Sequence, residues 1–187
     1  MGFLAGKRLL ITGVLNNRSI AYGIARACHR EGAELAFSYQ GERFKERITE
    51  FAAEFGSTLV FDCDVSDDAQ IERLFADLGQ HWDQFDGFVH AIAFAPRESI
   101  AGNFLDGLSR DAFRIAHDIS AYSFPAMASR GAKPMECTKP SNCGQCVARS
   151  ANIFVIWASS ATSQSKISEL SNSLANSVMR SLKRSPT

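Results

Sequence analysis

Short apolar segments alternate with amphipathic segments along the first two-thirds of the chain. Apolar runs bounded by glycine or polar residues are typical of buried parallel strands, and apolar residues spaced three and four apart predict helices. Strands are predicted within 7–12, 34–39, 58–65 and 85–95, and helices from Ile20 to Gly32 and over 42–56, 67–82 and 109–127. This alternation predicts right-handed βαβ units and an α/β fold with a Rossmann-like, doubly wound parallel sheet.

The same spacing predicts one buried stripe on each of the first three helices. Its members are Ile24, Ala25, Ala27 and Cys28, then Phe44, Ile48, Phe51, Ala52 and Phe55, then Ile71, Leu74, Phe75 and Leu78. Gly32 is placed to end the first helix, and Asp67 lies near the start of the third. Ser109 is a plausible cap for the fourth helix, and Pro125 is expected to disturb its end.

The pattern weakens after Ala128. Residues 129–146 are expected to form a loop, 151–158 another strand, and 165–183 a helix. Charge changes at the same point: residues 1–128 carry 12 Lys and Arg against 18 Asp and Glu, a balance of −6, whereas 129–187 carry 8 against 2, a balance of +6. We therefore predict a dinucleotide-binding part over 1–128 and an atypical segment over 129–187, with the sheet incomplete or altered at its C-terminal end.

Composition limits the classes of function. The chain has 20 Lys and Arg and 20 Asp and Glu, so its formal charge is zero, and neither nucleic-acid nor membrane binding is expected. The first residues lack a signal-peptide pattern, and five scattered cysteines favour a reducing cytoplasm over a disulfide framework. Cys137, Cys143 and Cys146 leave a zinc or redox site open as an alternative, but no histidine lies near them in the sequence. We predict ordinary free cysteines and no metal.

The stretch "ITGVLNNRSIAYGIA" joins the first predicted strand to the first helix. Gly13 permits a tight turn, and the N-terminus of a helix offers unpaired N–H groups and a positive dipole end to a pyrophosphate. Ser19 stands where the usual dinucleotide motif has glycine, and its hydroxyl can donate to phosphate or cap the helix. A capped turn without a ligand is the alternative.

Two further strand ends carry polar residues suited to an adenosine. Gln40 follows the second strand and can hydrogen-bond ribose hydroxyls, but it supplies no charge for a 2′-phosphate, which favours NADH although Arg43 lies nearby. Asp64 follows the third strand and can accept from the adenine amino group, while Val65 can pack on the ring. The alternative for Asp64 is a cap on the following helix.

Several segments together resemble the NADH-dependent enoyl-acyl-carrier-protein reductases of bacteria, in the short-chain dehydrogenase/reductase superfamily. They are "MGFLAGKRLLITG", "RSIAYGIA", "HREGAELAFSYQ", "CDV", "FDGFVHAIAFAP" and "IAHDISAYSF", and the resemblance covers residues 1–128. It implies cofactor contacts from Gly13, Ser19, Ile20, Gln40, Asp64, Val65 and Ile92. It also implies that Ala95 lines the acyl pocket and that Ala91 and Ala93 replace the Ser and Gly that are frequent in the family.

The resemblance implies hydride transfer from NADH to the β-carbon of a trans-2-enoyl thioester on acyl carrier protein, in type II fatty-acid synthesis. The family stabilises the enolate with a tyrosine hydroxyl and holds the nicotinamide ribose with a lysine, and it is typically homotetrameric.

This chain has three tyrosines, Tyr22, Tyr39 and Tyr122, and none lies in the region that the family motif requires. Thr162 and Lys166 resemble that motif only weakly, and His90 and His117 are interpreted as structural. We therefore assign no catalytic residue and predict an impaired reductase. The alternative is a noncatalytic NAD-binding module.

Overall fold

Five parallel strands form one sheet in the computed structural model, which describes residues 2–83, 86–131 and 154–157. The strand order is β3-β2-β1-β4-β5. The strands are β1 (Arg8–Thr12), β2 (Glu34–Tyr39), β3 (Val60–Asp62), β4 (Gly87–His90) and β5 (Phe154–Trp157). The predicted parallel sheet is therefore confirmed, and so is the strand expected within 151–158, whose Phe154 pairs with Gly87 of β4.

Helices connect these strands, as the alternating pattern predicts. They are α1 (Ile20–Arg30), α2 (Glu42–Glu54), α3 (Asp68–His81), α4 (Arg97–Ile100), α5 (Phe104–Gly107), α6 (Arg110–His117) and α7 (Ser123–Gly131). A π-helical turn, Asp118–Tyr122, joins α6 to α7. The predicted helix over 165–183 lies outside the described residues.

Two apolar clusters cover the two faces of the sheet, because alternate residues of each strand point to opposite sides. Leu9 and Ile11 of β1 pack with α1 and α2, whereas Leu10 packs with α3 and α7. The residues of the three predicted helix stripes are buried, except that Phe44 and Phe51 of α2 are only partly buried, and all but Ala27 pack in these clusters. Such two-sided coverage is what a parallel sheet requires.

The prediction that Pro125 disturbs the end of its helix is wrong. Pro125 is the third residue of α7, which continues to Gly131, so the loop predicted from residue 129 is wrong for 129–131, and the rest of it lies outside the described residues. A proline ring normally clashes with the carbonyl four residues earlier. Here that residue, Ala121, belongs to the π-helical turn, where the hydrogen-bond ladder is shifted by one residue. The helix therefore accepts the proline.

Two further boundaries differ from prediction. The strand expected over 58–65 pairs with β2 only from Val60 to Asp62. The segment after β4, where the sequence pattern predicts no helix, contains the short helices α4 and α5. Neither helix exceeds one turn, so neither carries the apolar periodicity by which longer helices are recognised.

Candidate functional site

Four strand ends meet at one edge of the sheet, because all the strands run in the same direction. Thr12, Tyr39, Asp62 and His90 are the last residues of β1, β2, β3 and β4. Strand order reverses between β1 and β4, since β2 and β3 lie on one side of β1 and β4 and β5 on the other. The crevice at such a reversal is where ligands bind in open α/β sheets.

Gly13 brings the two strands together at this crevice. Its φ is +85°, a conformation that side chains rarely adopt, and a Cβ atom built on it would overlap the carbonyl oxygen of Ala91. The side chain of Thr12 adds a bond across the same gap, with Oγ1 donating to the carbonyl of Val89 at 2.8 Å. Glycine is thus required by both the turn and the close approach of the loop after β4.

The turn between Gly13 and α1 is held by its own residues. Asn16 accepts from the backbone N–H of Arg18 through Oδ1 at 2.8 Å, and its carbonyl accepts from the Ser19 hydroxyl at 2.7 Å. The Ser19 oxygen in turn accepts from the N–H of Tyr22 at 3.4 Å, so the predicted cap on α1 is confirmed. The N–H groups of Ile20 and Ala21 lie in the first helical turn, where no intrahelical acceptor exists.

Gln40 and Asp64 contact each other at the ends of β2 and β3. Gln40 Nε2 donates to Asp64 Oδ2 at 2.7 Å, and Asp64 Oδ1 accepts from both the N–H and the hydroxyl of Ser66. Burial alone would raise the pKa of Asp64, but the hydrogen bonds from Ser66 and Gln40 outweigh it, and the pKa lies below its ordinary value. Asp64 is therefore a carboxylate at neutral pH.

The cap on α3 is Asp67, whose Oδ1 accepts from the N–H of Ala69 at 2.9 Å. Asp64 does not serve as that cap, so the alternative considered for it from the sequence is wrong. Val65 is buried in the cluster around α3, and only a small part of its side chain is accessible for contact with an adenine ring.

The loop after β4 carries the other predicted contacts. Ile92 packs partly buried against the cluster around α3 and α7, and Ala95 is half-buried. Ser120, in the π-helical turn, holds this loop from outside: its hydroxyl accepts from the N–H of Phe94 at 2.9 Å and donates to the carbonyl of Phe94 at 3.0 Å. The backbone N–H and the carbonyl of Phe94 are thus both bound by the Ser120 side chain.

His90, at the end of β4, is fully buried. Its Nε2 lies 2.7 Å from the Ser123 hydroxyl, which donates its own hydrogen to the carbonyl of Ile119. Ser123 must therefore accept from Nε2–H, which leaves Nδ1 unprotonated and without a partner among the described residues. Burial lowers the pKa of His90 to about 4. This geometry favours the structural interpretation of His90.

Sequence reasoning missed three of the residues that shape the site. Asn16 has a recognisable signal, since asparagine before a helix commonly binds nearby backbone N–H groups. Ser66 has a similar signal, since an aspartate side chain such as that of Asp64 commonly accepts from the backbone N–H two residues later. Ser120 has no such signal, because it lies 26 residues from Phe94 and only the π-helical turn brings them together.

Several residues singled out by the sequence lie outside the described part of the chain: Thr162, Lys166, Cys137, Cys143 and Cys146. Within residues 2–83, 86–131 and 154–157, no group of three His, Cys, Asp or Glu side chains is placed to hold a metal ion. Across the same residues, none of the helices is both long and apolar enough to cross a membrane.

A family model described as enoyl-(acyl carrier protein) reductase matches residues 13–181. The chain belongs to this family. Enoyl-acyl-carrier-protein reductase (NADH) FabI of Neisseria meningitidis is 58% identical over 135 residues, which are 72% of this chain and 51% of that protein. FabI of Escherichia coli K12 is 59% identical over 128 residues, 68% of this chain and 49% of that protein. The chain thus spans about half the length of the curated relatives it matches.

Solved structures of reductases in this family share the fold. The NADH-type enzyme of Aquifex aeolicus VF5 gives a TM-score of 0.72 at 40% identity, covering 97% of this chain and 74% of that one. The enzyme of Anaplasma phagocytophilum, crystallised in complex with NAD, gives a TM-score of 0.67 at 37% identity, covering 72% of this chain and 50% of that one. The resemblance inferred from sequence motifs is therefore confirmed at the level of family and fold.

The residues at the crevice suit a dinucleotide. Gly13 lacks a Cβ atom at the turn, and the first turn of α1 offers unpaired N–H groups to an anionic pyrophosphate. Gln40 and Asp64 lie one strand and two strands away on the side of β2 and β3, where polar groups would meet a ribose and an adenine. The predicted contacts from the glycine turn and from these strand ends thus lie at one edge, whereas Ile92 and Ala95 lie across the crevice.

Proposed function

We propose that this chain binds NADH through the crevice between β1 and β4, as an enoyl-acyl-carrier-protein reductase of type II fatty-acid synthesis whose turnover is impaired. The observation that carries the proposal is the convergence of the Gly13 turn, the N-terminus of α1 and the Gln40–Asp64 pair at the edge where strand order reverses. Membership of the reductase family supplies the reaction class.

Bound NADH would supply a hydride for the β-carbon of a trans-2-enoyl thioester carried on acyl carrier protein. The first turn of α1 would bind the pyrophosphate, and Gln40 and Asp64 would bind the ribose and the adenine. Val65 and Ile92 are the proposed apolar contacts with the cofactor, and Ala95 is the proposed lining of the acyl pocket.

The proposed impairment follows from where the tyrosines and lysines lie. Tyr22 donates its hydroxyl to Glu54 at 2.8 Å, Tyr39 is buried in the core, and Tyr122 lies half-exposed in the π-helical turn. Within the described residues the lysines are Lys7, which pairs with Asp86, and Lys45, which pairs with Glu42. Lys45 interacts electrostatically with Tyr39, but at the end of β2 and not at the crevice between β1 and β4. Enolate stabilisation and ribose binding require a tyrosine hydroxyl and a lysine beside that crevice, and none of these five residues supplies that arrangement.

This placement also supports the second candidate, a noncatalytic NAD-binding module made of residues 1–128 with an atypical segment over 129–187. A cytoplasmic location and the family's homotetrameric assembly accompany both candidates as proposals.

Calorimetric titration with NADH and with ADP-ribose, followed by an absorbance assay with NADH and a trans-2-enoyl thioester, tests the proposal. We expect both ligands to bind with affinities within about tenfold of each other, because the contacts proposed here lie mainly on the adenosine diphosphate half. We expect little or no oxidation of NADH by the thioester. Failure of both ligands to bind would overturn the binding function, and turnover near that of a full-length family member would overturn the impairment.

A further inference from the structure

The contact between Gln40 and Asp64 has only one possible polarity. An ionised carboxylate accepts hydrogen bonds and donates none, so the group of Gln40 that faces Asp64 must be its NH₂, as the 2.7 Å bond from Nε2 to Oδ2 has it. The carbonyl oxygen of Gln40 consequently faces away from Asp64. An amide held in this orientation uses one of its two N–H groups on Asp64 and turns its carbonyl oxygen, an acceptor, to the opposite side.

Asp64 is itself held by a second set of bonds. Its Oδ1 accepts from the N–H of Ser66 at 2.9 Å and from the Ser66 hydroxyl at 2.7 Å. These bonds fix the carboxylate in the turn before α3, so Asp64 cannot follow a rotation of the Gln40 amide without losing them. Gln40, which is exposed, is therefore the partner whose orientation is imposed.

The neighbouring donors are committed as well. The N–H of Gly41 donates to Asp62 Oδ1 at 2.9 Å. In the first turn of α2, the Arg43 guanidinium lies over the ring of Phe44, 4.5 Å from its centroid, and Lys45 pairs with Glu42 at 3.2 Å. Of these donors, Gly41 N–H and Lys45 are bound to carboxylates and Arg43 is stacked on Phe44, so a 2′-phosphate would have to draw Arg43 off that ring or Lys45 off Glu42.

We propose that Asp64 is a positioning residue that orients the Gln40 amide so that the ribose pocket selects an unphosphorylated 2′-hydroxyl. A 2′-hydroxyl can donate to the outward-facing carbonyl oxygen of Gln40, whereas a 2′-phosphate cannot. The inference deepens the NADH-binding function proposed above and rests on it.

The Asp64→Asn variant reverses the polarity with little change in shape. An asparagine oxygen still accepts from Ser66, and its NH₂ then faces Gln40, whose amide must turn to present its own NH₂ to the ribose. Measured by calorimetry on the full chain, the ratio of the NADPH to the NADH dissociation constant should fall about tenfold, the loss of one hydrogen bond to a charged group. The ratio cancels any common loss of adenine binding.

Two further variants separate orientation from charge. Asp67→Asn removes the same charge from the same segment without touching Gln40, and should leave the ratio within about twofold of the parent chain. In a Gln40→Ala background, Asp64→Asn should also change the ratio less than about twofold, because the residue through which it acts is gone.

The outcomes are distinct. An unchanged ratio in Asp64→Asn overturns the inference, and so does a tenfold fall that persists in the Gln40→Ala background, since charge alone would then explain it. If neither NADH nor NADPH binds the parent chain, the proposed function fails and this inference fails with it.

Discussion

The turn after β1 and the loop after β4 lie on either side of the same crevice, yet they are held in different ways. The turn is fixed by residues within three positions of each other, Asn16, Arg18 and Ser19. The loop is fixed from a distance: Ser120, 26 residues away, binds Phe94, and the His90–Ser123 pair, 33 residues apart, lies beneath the loop's start. The hydrogen bonds that hold the turn thus join residues close together in the sequence, whereas those that hold the loop join residues far apart in it.

This difference predicts how each side responds to damage. Losing a local bond in the turn should affect the turn alone, because its other bonds and the helix start remain. Losing a distant bond in the loop should loosen the loop relative to α6 and α7, since nothing nearby in the sequence replaces it. Gly13 links the two sides, because it lies so close to Ala91 that a Cβ atom on it would overlap the Ala91 carbonyl. The largest effect is therefore expected there.

Gly13→Ala should lower the free energy of unfolding by about 3 kcal/mol or more. The new Cβ atom would overlap the Ala91 carbonyl, which is backbone and cannot rotate away, and φ would stay at +85° only with strain. Urea unfolding measures the loss. We also expect NADH binding to be lost, because the turn and the loop would be forced apart.

Gly56→Ala is the matched control for Gly13→Ala. Gly56 also has a positive φ, +67°, but a Cβ atom there would meet nothing within 4 Å. The substitution should therefore show the conformational cost by itself, about 1 kcal/mol. Equal losses for the two variants would mean that contact between the two sides of the crevice contributes nothing.

Acid should lower the free energy of unfolding through His90, which lies on the loop side of the crevice. His90 has a pKa of about 4 in the folded chain against 6.5 as its ordinary value, because it is buried. Below pH 6.5 the unfolded chain binds a proton that the folded chain does not, so stability falls with pH until about 4, by up to about 3 kcal/mol. Urea unfolding at a series of pH values between 7 and 4 measures this slope.

His90→Gln isolates that contribution. A glutamine amide can still donate to the Ser123 hydroxyl but does not titrate, so the slope between pH 6.5 and 4 should be reduced by most of its size. His117→Gln is the control, because His117 is exposed and its ring contact within the described part of the chain is with Phe113. If the slope survives in His90→Gln, the buried histidine is not its source.

The same contrast explains what the sequence can and cannot predict. The helix stripes, the cap by Ser19 and the glycine turn depend on residues close together in the chain, and they were predictable from spacing and turn chemistry. The π-helical turn, the Ser120 contact and the acceptance of Pro125 depend on how α6 and α7 pack against β4 and its loop. Asp64 shows the limit within a single turn: its spacing allowed a cap, but Asp67 fills that position.

Ser120→Ala should lower the free energy of unfolding by about 1 kcal/mol, less than Gly13→Ala or the protonation of His90. Phe94 is 48% exposed, so water can replace the two lost hydrogen bonds to its backbone. Hydrogen exchange should nevertheless show faster exchange at the amide of Phe94, while the turn holding Asn16 and Ser19 keeps its parent rate. Ser99→Ala removes a bond from the neighbouring helix α4 to the Pro96 carbonyl and should leave the Phe94 amide unchanged.

Ser19→Ala should have the smallest effect, about 0.5 to 1 kcal/mol of unfolding free energy. The cap it removes is long, 3.4 Å from the Tyr22 N–H, and Asn16 still binds the N–H groups of Arg18 and Ser19. Ser19→Asp restores an acceptor at the same place and adds a negative charge favourable to the helix dipole, so its stability should match or exceed that of the parent. Its NADH affinity should fall, because that charge would lie beside the proposed pyrophosphate site. Equal NADH affinity in Ser19→Asp and the parent would instead place the pyrophosphate away from this turn.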